Sequence, residues 1–258
     1  MNTTIINDCR DANAQGRQVT RAVALLGGPV SFIGVSHDLE AAGNLIDTLD
    51  AYGEAPGVVL VNIAPRNGRA KKWKNGTPFG YFWYKKILVV SSVDGLTLSL
   101  VKKLKLIDVV HVLDIPTVVN ILVEAGRIDR SVADYITGTQ FRSFDFLPRI
   151  AEYLLSYTDA ASEVLSINDV ADAPPSVWWV DNFGNCKTTL VLSDIAGGTV
   201  HMKTGDVPYI AGLKDVPDVT CALITGSSGL GESRFLEIVV QGESAAQALG
   251  LSSGDLVL

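Results

Sequence analysis

Short β-branched runs alternate with segments of helical periodicity from the first residues to about Tyr157. This alternation predicts a mostly parallel sheet covered by helices, a Rossmann-like α/β domain over residues 1–157. The predicted strands are Thr3 to Ile6, Val30 to Val35, Val58 to Ile63, Ile87 to Ser91 and Val109 to Leu113. The predicted helices are Asn13 to Leu26, Ala41 to Ala51, Leu96 to Leu104, Thr117 to Ala125, Ser131 to Thr137 and Leu147 to Tyr157.

The pattern changes after Tyr157. Residues 158–176 are rich in Ala, Ser and Asp and include the pair Pro174-Pro175, which favours a connecting segment. Short apolar runs separated by Gly, Asp and Pro follow, and they predict a small all-β domain over residues 177–258, a candidate barrel. These runs are Val177 to Val180, Thr188 to Leu192, Val200 to Met202, Val219 to Ile224 and Phe235 to Val240.

Charge and hydropathy narrow the classes of partner. The chain has 21 basic and 28 acidic side chains, a formal charge of -7, and its only dense basic stretch is Arg66 to Lys74. We therefore expect neither a nucleic acid nor a membrane as partner, because both would require an excess of Lys and Arg on one face. Although 47% of the residues are hydrophobic, no apolar run reaches the roughly 18 residues of a membrane span. With no secretion signal visible at the start, a cytoplasmic location is expected.

Several common chemistries lack their sequence signatures. The three cysteines, Cys9, Cys186 and Cys221, lie far apart, and the three histidines are equally scattered. We therefore expect reduced thiols, no metal site and no bound cofactor. H-E-x-x-H, G-x-S-x-G and Walker-type phosphate loops are absent from the sequence, so zinc-protease, serine-hydrolase and P-loop mechanisms are not indicated.

Polar residues at predicted strand ends are the first candidates for a ligand site. Asp8 follows the first strand, at the sheet edge where open α/β folds bind ligands, and its carboxylate could accept hydrogen bonds from a ribose diol or cap a helix. His37 and Asp38 end the second strand. Since adjacent residues of a strand point to opposite faces, a structural histidine is favoured over a proton-transfer pair.

Three further segments have two interpretations each. Residues 181–185, D-N-F-G-N, are best explained as an Asx-rich turn, although their side chains could also contact a ligand. The aromatic stretch from Trp73 to Tyr84 could stack on a base, or could cover the core or a subunit contact. Residues 226–231, G-S-S-G-L-G, precede a strand rather than a helix, so we interpret them as a hairpin turn and not as a phosphate loop.

Taken together, the motifs resemble those of the S-adenosylmethionine hydroxide adenosyltransferases, hydrolases that release adenosine and methionine and are related to fluorinase and chlorinase. Residues 180–185, V-D-N-F-G-N, followed by T-T-L at 188–190, are similar to the family's D-x-F-G-N and T-N-I. The ending, F-L-E-I-V-V at 235–240 with G-E-S-A-A at 242–246, L-G-L at 249–251 and G-D at 254–255, resembles the family's ending. In the first domain, I-N-D at 6–8, S-H-D at 36–38, P-G-V-V at 56–59 and V-D-G-L at 93–96 are similar to family motifs.

The resemblance implies an α/β domain, a carboxyl-terminal β-barrel and a homotrimer with sites between subunits. It also implies the substrate-binding residues: Asp8 for the ribose hydroxyls, Asp181 for the methionine ammonium, Asn185 for the adenine edge, Ser227 for the methionine carboxylate or adenine, and in addition Asp94 and Phe183. A sulfonium and ammonium ligand is cationic, which suits an acidic protein with carboxylates at its cleft.

The sequence departs from the family at the residues that handle water. In the segment similar to the family's V-V-D-P-G-V-G-T-x-R, Ala64 replaces the Asp and Lys71 falls at the Arg; Arg142 replaces the His of T-F-H-G-R-D. The chain also departs from the halogenases, because their tyrosine before the Pro is again Ala64, although F-R-S at 141–143 resembles their F-Y-S. The candidates for lining the nucleophile pocket are Asn67, Lys71, Arg142 and Ser143.

Three functions therefore remain open. The first is a divergent hydrolase that forms adenosine and methionine, and the second is a catalytically silent binder of S-adenosylmethionine or adenosine. The third is a halide-dependent adenosyltransferase. The hydrolase is preferred because the ligand-holding residues match the family. The loss of the residues that act on water is the argument for the silent binder.

Overall fold

The computed structural model describes residues 1–64, 78–139, 141–195, 198–202 and 205–258. The first domain contains the strands β1 (Asn2–Asn7), β2 (Val30–Gly34), β3 (Gly57–Asn62), β4 (Phe79–Tyr84), β5 (Ile87–Ser92), β6 (Val109–Leu113) and β7 (Ser162–Ser166). Its helices are α1 (Ala12–Leu26), α2 (Asp38–Tyr52), α3 (Ser99–Lys103), α4 (Ile115–Glu124), α5 (Arg130–Gly138), α6 (Arg142–Asp145) and α7 (Leu147–Tyr157). None of the helices in these ranges is long and apolar enough to cross a membrane.

The described strands of the first domain form one mixed sheet of seven strands in the order β2-β1-β3-β5-β4-β6-β7. Neighbours among β2, β1, β3 and β5 are parallel, whereas β4 runs antiparallel to both β5 and β6, and β7 runs antiparallel to β6. The predicted α/β class with a parallel sheet core is therefore confirmed. Because β2 and β3 flank β1 on opposite sides, the chain direction across the sheet reverses at β1.

Two strands of this sheet lie outside the strands predicted from the sequence. The first is β4, which contains most of the aromatic stretch; Tyr81 and Phe82 are buried on opposite faces, so they cover core rather than a ligand. The second is β7, which pairs with β6 inside the predicted connecting segment 158–176. Its weak apolar pattern follows from its position at the sheet edge, where Val164 is 67% exposed.

Apolar layers cover both faces of the sheet. On one face, α2 and α3 pack over residues such as Ile6, Val59 and Val89. On the other face, α1, α4, α5 and α7 pack over Ile5 and Leu60 among others. Strands buried on both faces need continuous apolar sequence, which explains why β3 and β5 are recognisable as unbroken β-branched runs.

The second domain is all-β, as predicted, and its described strands form two antiparallel sheets. Its elements are β8 (Val177–Val180), β9 (Cys186–Val191), β10 (Thr199–Met202), β11 (Gly205–Pro208), β12 (Cys221–Leu230), β13 (Ser233–Val240) and the short helix α8 (Ala245–Leu249). Four strands pair in the order β12-β13-β9-β8, and β10 pairs with β11. A bridge between Tyr209 and Leu223 connects the smaller sheet to β12.

Helix α2 joins the two domains. Trp178 of β8 is 1% exposed and lies against α2 at Gly43, where any Cβ would overlap the indole ring. The carboxylates of Asp47 and Asp50 accept backbone hydrogen bonds from Gly229 (2.9 Å) and Gly231 (3.1 Å). The second domain therefore shares a core with the first, and the two pack as one body around α2.

Candidate functional site

The carboxyl ends of β1, β2, β3 and β5 meet at one edge of the sheet, because these strands are parallel. In open α/β sheets, ligands bind in the crevice beyond such ends, at the point where the strand order reverses. Here that point lies between β1 and β3. The predicted site residues of the first domain are therefore expected at this edge of the sheet.

Asp8 lies at this crevice, directly after β1, and is 8% exposed. Its Oδ2 accepts a hydrogen bond from the backbone N–H of Ala64 (3.1 Å), and its own N–H donates to the carbonyl oxygen of Asn62 (3.3 Å). Asp8 therefore links the ends of β1 and β3 and fixes the start of the segment that follows. Asn67 and Lys71, two of the four candidate nucleophile-pocket residues, lie in that segment and outside the described residues.

A buried amide network supports Asp8, and sequence reasoning missed it. Asn7 is fully buried; its Nδ2 donates to Gln18 Oε1 (2.6 Å), and its Oδ1 accepts from Cys9 N (2.8 Å) and Asn62 Nδ2 (3.4 Å). Buried polar side chains that satisfy one another fix a single local conformation. The available signal was an Asn at the last position of both β1 and β3, two neighbouring strands.

Asp94 follows β5 at the same edge, in a loop held by Asp38. The Asp38 Oδ2 accepts a hydrogen bond from Leu96 N (2.8 Å) and lies where a side chain on Gly95 would have to go; Gly95 also has φ +76°. Asp38 is therefore a loop-positioning residue. The Oδ2 of Asp94 is buried and receives no hydrogen bond from any described residue. A buried carboxylate oxygen without a donor is costly unless a ligand supplies one.

His37 has a structural role, as the sequence favoured. It caps α2, with Nδ1 accepting from Glu40 N (3.4 Å), and its Nε2 lies 3.0 Å from Ser253 Oγ. Since the Ser253 hydroxyl donates to the carbonyl oxygen of Trp178 (2.9 Å), it must accept from His37, which places the imidazole proton on Nε2. This arrangement fixes the contact between the domains.

The cluster around His37 is not a nucleophilic triad. Glu40 Oε1 lies 3.5 Å from the same Nε2 that meets Ser253, whereas a catalytic acid would bond to the opposite ring nitrogen. Glu40 Oε2 accepts from Ser36 N (2.5 Å) instead. Next to it, a cavity of about 360 Å³ opens between the domains, lined by Arg10 and Glu40 and, from the second domain, by Trp179, Val180 and residues 251–253.

In the second domain, Asp181, Phe183 and Asn185 lie together in the turn between β8 and β9. Asp181 Oδ1 accepts from the backbone N–H groups of Phe183 and Asn185 (both 2.9 Å), and Oδ2 accepts from Asn185 Nδ2 (3.0 Å). The Asx turn favoured from the sequence is therefore present. The same turn presents Phe183 to solvent, with 73% of its surface exposed.

Ser227 lies in an irregular part of β12, where the pairing with β13 shifts register between Thr225 and Gly229. Its side chain is exposed, whereas the neighbouring Ser228 is buried and accepts a hydrogen bond from Lys187 Nζ (2.5 Å). Beside this bulge, Glu237 is 7% exposed, and burial raises the pKa of its carboxyl group. Sequence reasoning missed Glu237 because it occupies one position of an otherwise apolar strand.

Arg142 and Ser143 lie on α6, which packs against α1. The Nε of Arg142 is buried and has no hydrogen-bond partner in the described part of the chain, and burial lowers the pKa of the guanidinium. An arginine nevertheless remains charged at neutral pH. It can hold an anion or orient water, but it cannot act as a base.

The predicted residues thus form three groups: the sheet-edge pair Asp8 and Asp94, the second-domain turn with nearby Ser227, and Arg142 with Ser143 on α6. No hydrogen bond or ion pair between described residues joins the sheet-edge pair to either of the other groups. In the same ranges no cluster of three or more His, Cys, Asp or Glu side chains is arranged to hold a metal ion. Burial raises the pKa of the Cys186 thiol to about 12, so this cysteine is not a nucleophile at neutral pH.

Comparison with solved structures shows that this two-domain fold occurs elsewhere at full length. The chain is similar to an uncharacterized conserved protein from Thermotoga maritima, with TM-score 0.66 and 15% identity over 99% of this chain and 98% of that one. It is also similar to a conserved hypothetical protein from Thermus thermophilus, with TM-score 0.56 and 22% identity over 99% of each chain. At these identities the likeness shows the fold alone. No protein-family profile and no curated protein matches the chain.

Proposed function

We propose that the protein is a divergent S-adenosylmethionine hydrolase, which forms adenosine and methionine by attack of water or hydroxide on the 5′ carbon. The observation that carries the proposal is the buried Oδ2 of Asp94, which lacks a donor among the described residues at the sheet edge that Asp8 shares. A ribose diol would supply hydroxyl donors to such carboxylates. The motif resemblance favours the adenosyl part of S-adenosylmethionine as this nucleoside.

The charge of the site suits this ligand. S-adenosylmethionine carries a sulfonium and an ammonium group, and the residues proposed to hold it include three carboxylates, Asp8, Asp94 and Asp181. Asp181 keeps its loop closed through three hydrogen bonds, yet each carboxylate oxygen has more than one lone pair, so Oδ2 can also accept from an ammonium group. A ligand of this charge needs no basic patch.

In the proposed reaction, the water oxygen bonds to the 5′ carbon while the carbon–sulfur bond breaks and its electron pair passes to sulfur. Methionine leaves as a neutral thioether, so the leaving group needs no acid, and the water proton passes to solvent. Catalysis would rest on holding oxygen, carbon and sulfur in line and on removing solvent from the nucleophile. Arg142 and Ser143, with Asn67 and Lys71, are proposed to line the nucleophile pocket.

The proposed site is completed by a second subunit of a homotrimer. Among the described residues of one chain, no hydrogen bond or ion pair joins Asp94 to the turn at Asp181, and the side chain of Phe183 is exposed to solvent over 73% of its surface. A neighbouring subunit that inserted this turn at the sheet edge would bring the two groups together and bury the aromatic ring, which is stabilising. A monomer at micromolar concentration in equilibrium sedimentation would contradict this part of the proposal.

A catalytically silent S-adenosylmethionine or adenosine binder is the second candidate. It is favoured by Ala64 and Arg142, which stand where the resembling hydrolases have an Asp and a His. The halide-dependent adenosyltransferase has less support, because Ala64 also removes a wall of the halide pocket. It predicts a 5′-halo nucleoside in place of adenosine.

One incubation separates these functions. The purified protein is mixed with S-adenosylmethionine, with and without chloride, and the products are separated by chromatography while binding is followed by calorimetry. Adenosine and methionine formed without halide support the hydrolase. Binding without turnover supports the silent binder, and a chloride-dependent 5′-chloro product supports the halogenase. If the protein neither binds S-adenosylmethionine nor turns it over, the proposed function is overturned.

A further inference from the structure

A second surface feature lies on α1, outside the proposed adenosyl site. It is a groove of about 480 Å³ between α1 and Phe144 of α6, hereafter the α1 groove. Its α1 side is formed largely by small residues, Ala12, Gly16, Thr20 and Ala24, which recur every four positions and so share one helix face. A Cβ on Gly16 would meet no atom within 4 Å, so the groove is open at its middle.

Two arginines border the α1 groove side by side. Arg17 and Arg21 are one helical turn apart, and their guanidinium carbons lie 4.6 and 4.3 Å from the centre of the Phe144 ring. Like charges at this spacing destabilise a helix by about 0.2–0.5 kcal/mol. The shared aromatic ring offsets this repulsion and fixes both guanidinium groups at the groove.

The positive charge around the groove is not balanced by the described residues that surround it. Asp145 lies beside these arginines, and its Oδ1 is 4.0 Å from Arg21 Nη1. Arg149 of α7 adds a third positive charge; burial and the repulsion of Arg21 lower the pKa of its guanidinium, and its Nε has no partner within the described ranges. Three arginines therefore face one carboxylate in a chain whose net charge is -7.

We propose that the α1 groove binds a small molecule through a doubly charged oxyanion, held by Arg17 and Arg21, with its uncharged part lying along Gly16 and Thr20. Guanidinium groups match phosphate and carboxylate oxygens with paired, charge-assisted hydrogen bonds, and Arg149 adds positive potential nearby. The residues that line the groove include none of the proposed adenosyl-site residues. The proposal therefore stands independently of the hydrolase function.

The test is calorimetric titration of the full-length protein with pyrophosphate in one arm and citrate in the other. Arg21→Gln removes one of the two guanidinium groups, and Gly16→Leu fills the groove. Gly16→Leu should also keep or raise the melting temperature, because Leu favours a helix by more than about 0.5 kcal/mol over Gly. Arg130→Gln is the matched control, since Arg130 is an exposed arginine of α5 that donates to Asn120.

We expect both groove variants to weaken binding of the recognised anion at least about tenfold, and Arg130→Gln to leave it within about twofold. Binding of pyrophosphate alone would assign a phosphate-bearing ligand, and binding of citrate alone a carboxylate-bearing one. The proposal is overturned if neither anion binds, if Gly16→Leu binds as well as the native protein, or if Arg130→Gln weakens binding as much as Arg21→Gln.

Discussion

The sheet edge and the β8–β9 turn differ in how their carboxylates are satisfied. In the turn, Asp181 accepts three hydrogen bonds from its own loop. At the sheet edge, the buried Oδ2 of Asp94 accepts none from the described residues. The turn is therefore stable without a ligand. At the edge, the unsatisfied Oδ2 of Asp94 lowers the stability of the protein, and a hydrogen-bond donor of a ligand would remove this free-energy cost. A carboxylate satisfied by its own loop explains a conformation, whereas one left unsatisfied at a sheet edge is a candidate for a ligand contact.

The largest loss of stability is expected at the contact between the two domains, where Trp178 packs on α2. Trp178→Ala should lower the free energy of unfolding by about 3–5 kcal/mol, because the indole is 1% exposed and fills the space beside Gly43 on α2. Urea unfolding followed by circular dichroism measures the change. The half-buried neighbour Trp179 provides the control, and a loss no larger than that of Trp179→Ala would show that α2 does not join the two regions as described.

The comparison itself predicts opposite stability effects for two carboxylates. Asp181→Ala should cost about 1–3 kcal/mol, because two backbone N–H groups and the Asn185 amide lose their acceptor. Asp94→Asn should change stability by less than about 0.5 kcal/mol or increase it, because it replaces a carboxylate whose buried Oδ2 has no donor among the described residues. Paired denaturant curves decide the matter, and the reverse order of the two costs would refute the distinction between the regions.

A buried carboxylate oxygen without a described partner also occurs in the second domain, at Glu237 Oε1. Burial raises the pKa of its carboxyl group above the usual value near 4.5. Its contribution to stability is therefore present below pH 4.5 and is lost as the pH rises through the raised pKa. Glu237→Gln should stabilise the protein at pH 7 by on the order of 1 kcal/mol.

Melting curves from about pH 4 to pH 8 would test this prediction about Glu237. The difference between the variant and the native protein should grow with pH. A difference that stays constant over the range would mean that burial of the charge is not the cause. Asp47, whose carboxyl pKa burial also raises, is present in both proteins, and its negative charge adds to the raised pKa of Glu237 in the native protein.

The smallest effect is expected for the ion pair of Asp50 and Arg234 at the domain junction. The two groups are 2.8 Å apart and each is about one-third exposed, so solvent screens their attraction. Arg234→Gln should cost less than about 1 kcal/mol of stability. Thermal unfolding at low and high salt checks this, and a loss above about 2 kcal/mol would show that the ion pair, rather than Trp178, holds the domains together.

The sequence predicted the strands that are buried on both faces of the sheet. The central parallel strands β3 and β5 are largely apolar because both of their faces are covered, so their positions were recognisable. Strand β7 was missed because it is an exposed edge whose pairing with β6 leaves no alternating pattern. Strand β4 was missed because its aromatic residues fit a strand, a ligand platform and a subunit contact equally well.

For the candidate site, the sequence predicted the positions of single residues but not the contacts between them. Position after a strand was enough to place Asp8 at the sheet edge, because parallel strands end on one side. The supporting contacts were not predictable, since Asn7 meets Gln18 and Asp38 meets Leu96 only after the chain has folded. His37 illustrates the same limit: its partner Ser253 is 216 positions away in the sequence.

The most direct test of the central claim is calorimetric titration of S-adenosylmethionine into the native protein and into Asp94→Asn. If the unsatisfied carboxylate at the sheet edge exists for the ligand, the native protein binds, and the variant binds at least about tenfold more weakly while remaining at least as stable. Equal affinities in the two proteins, or no binding by the native protein, would contradict the account.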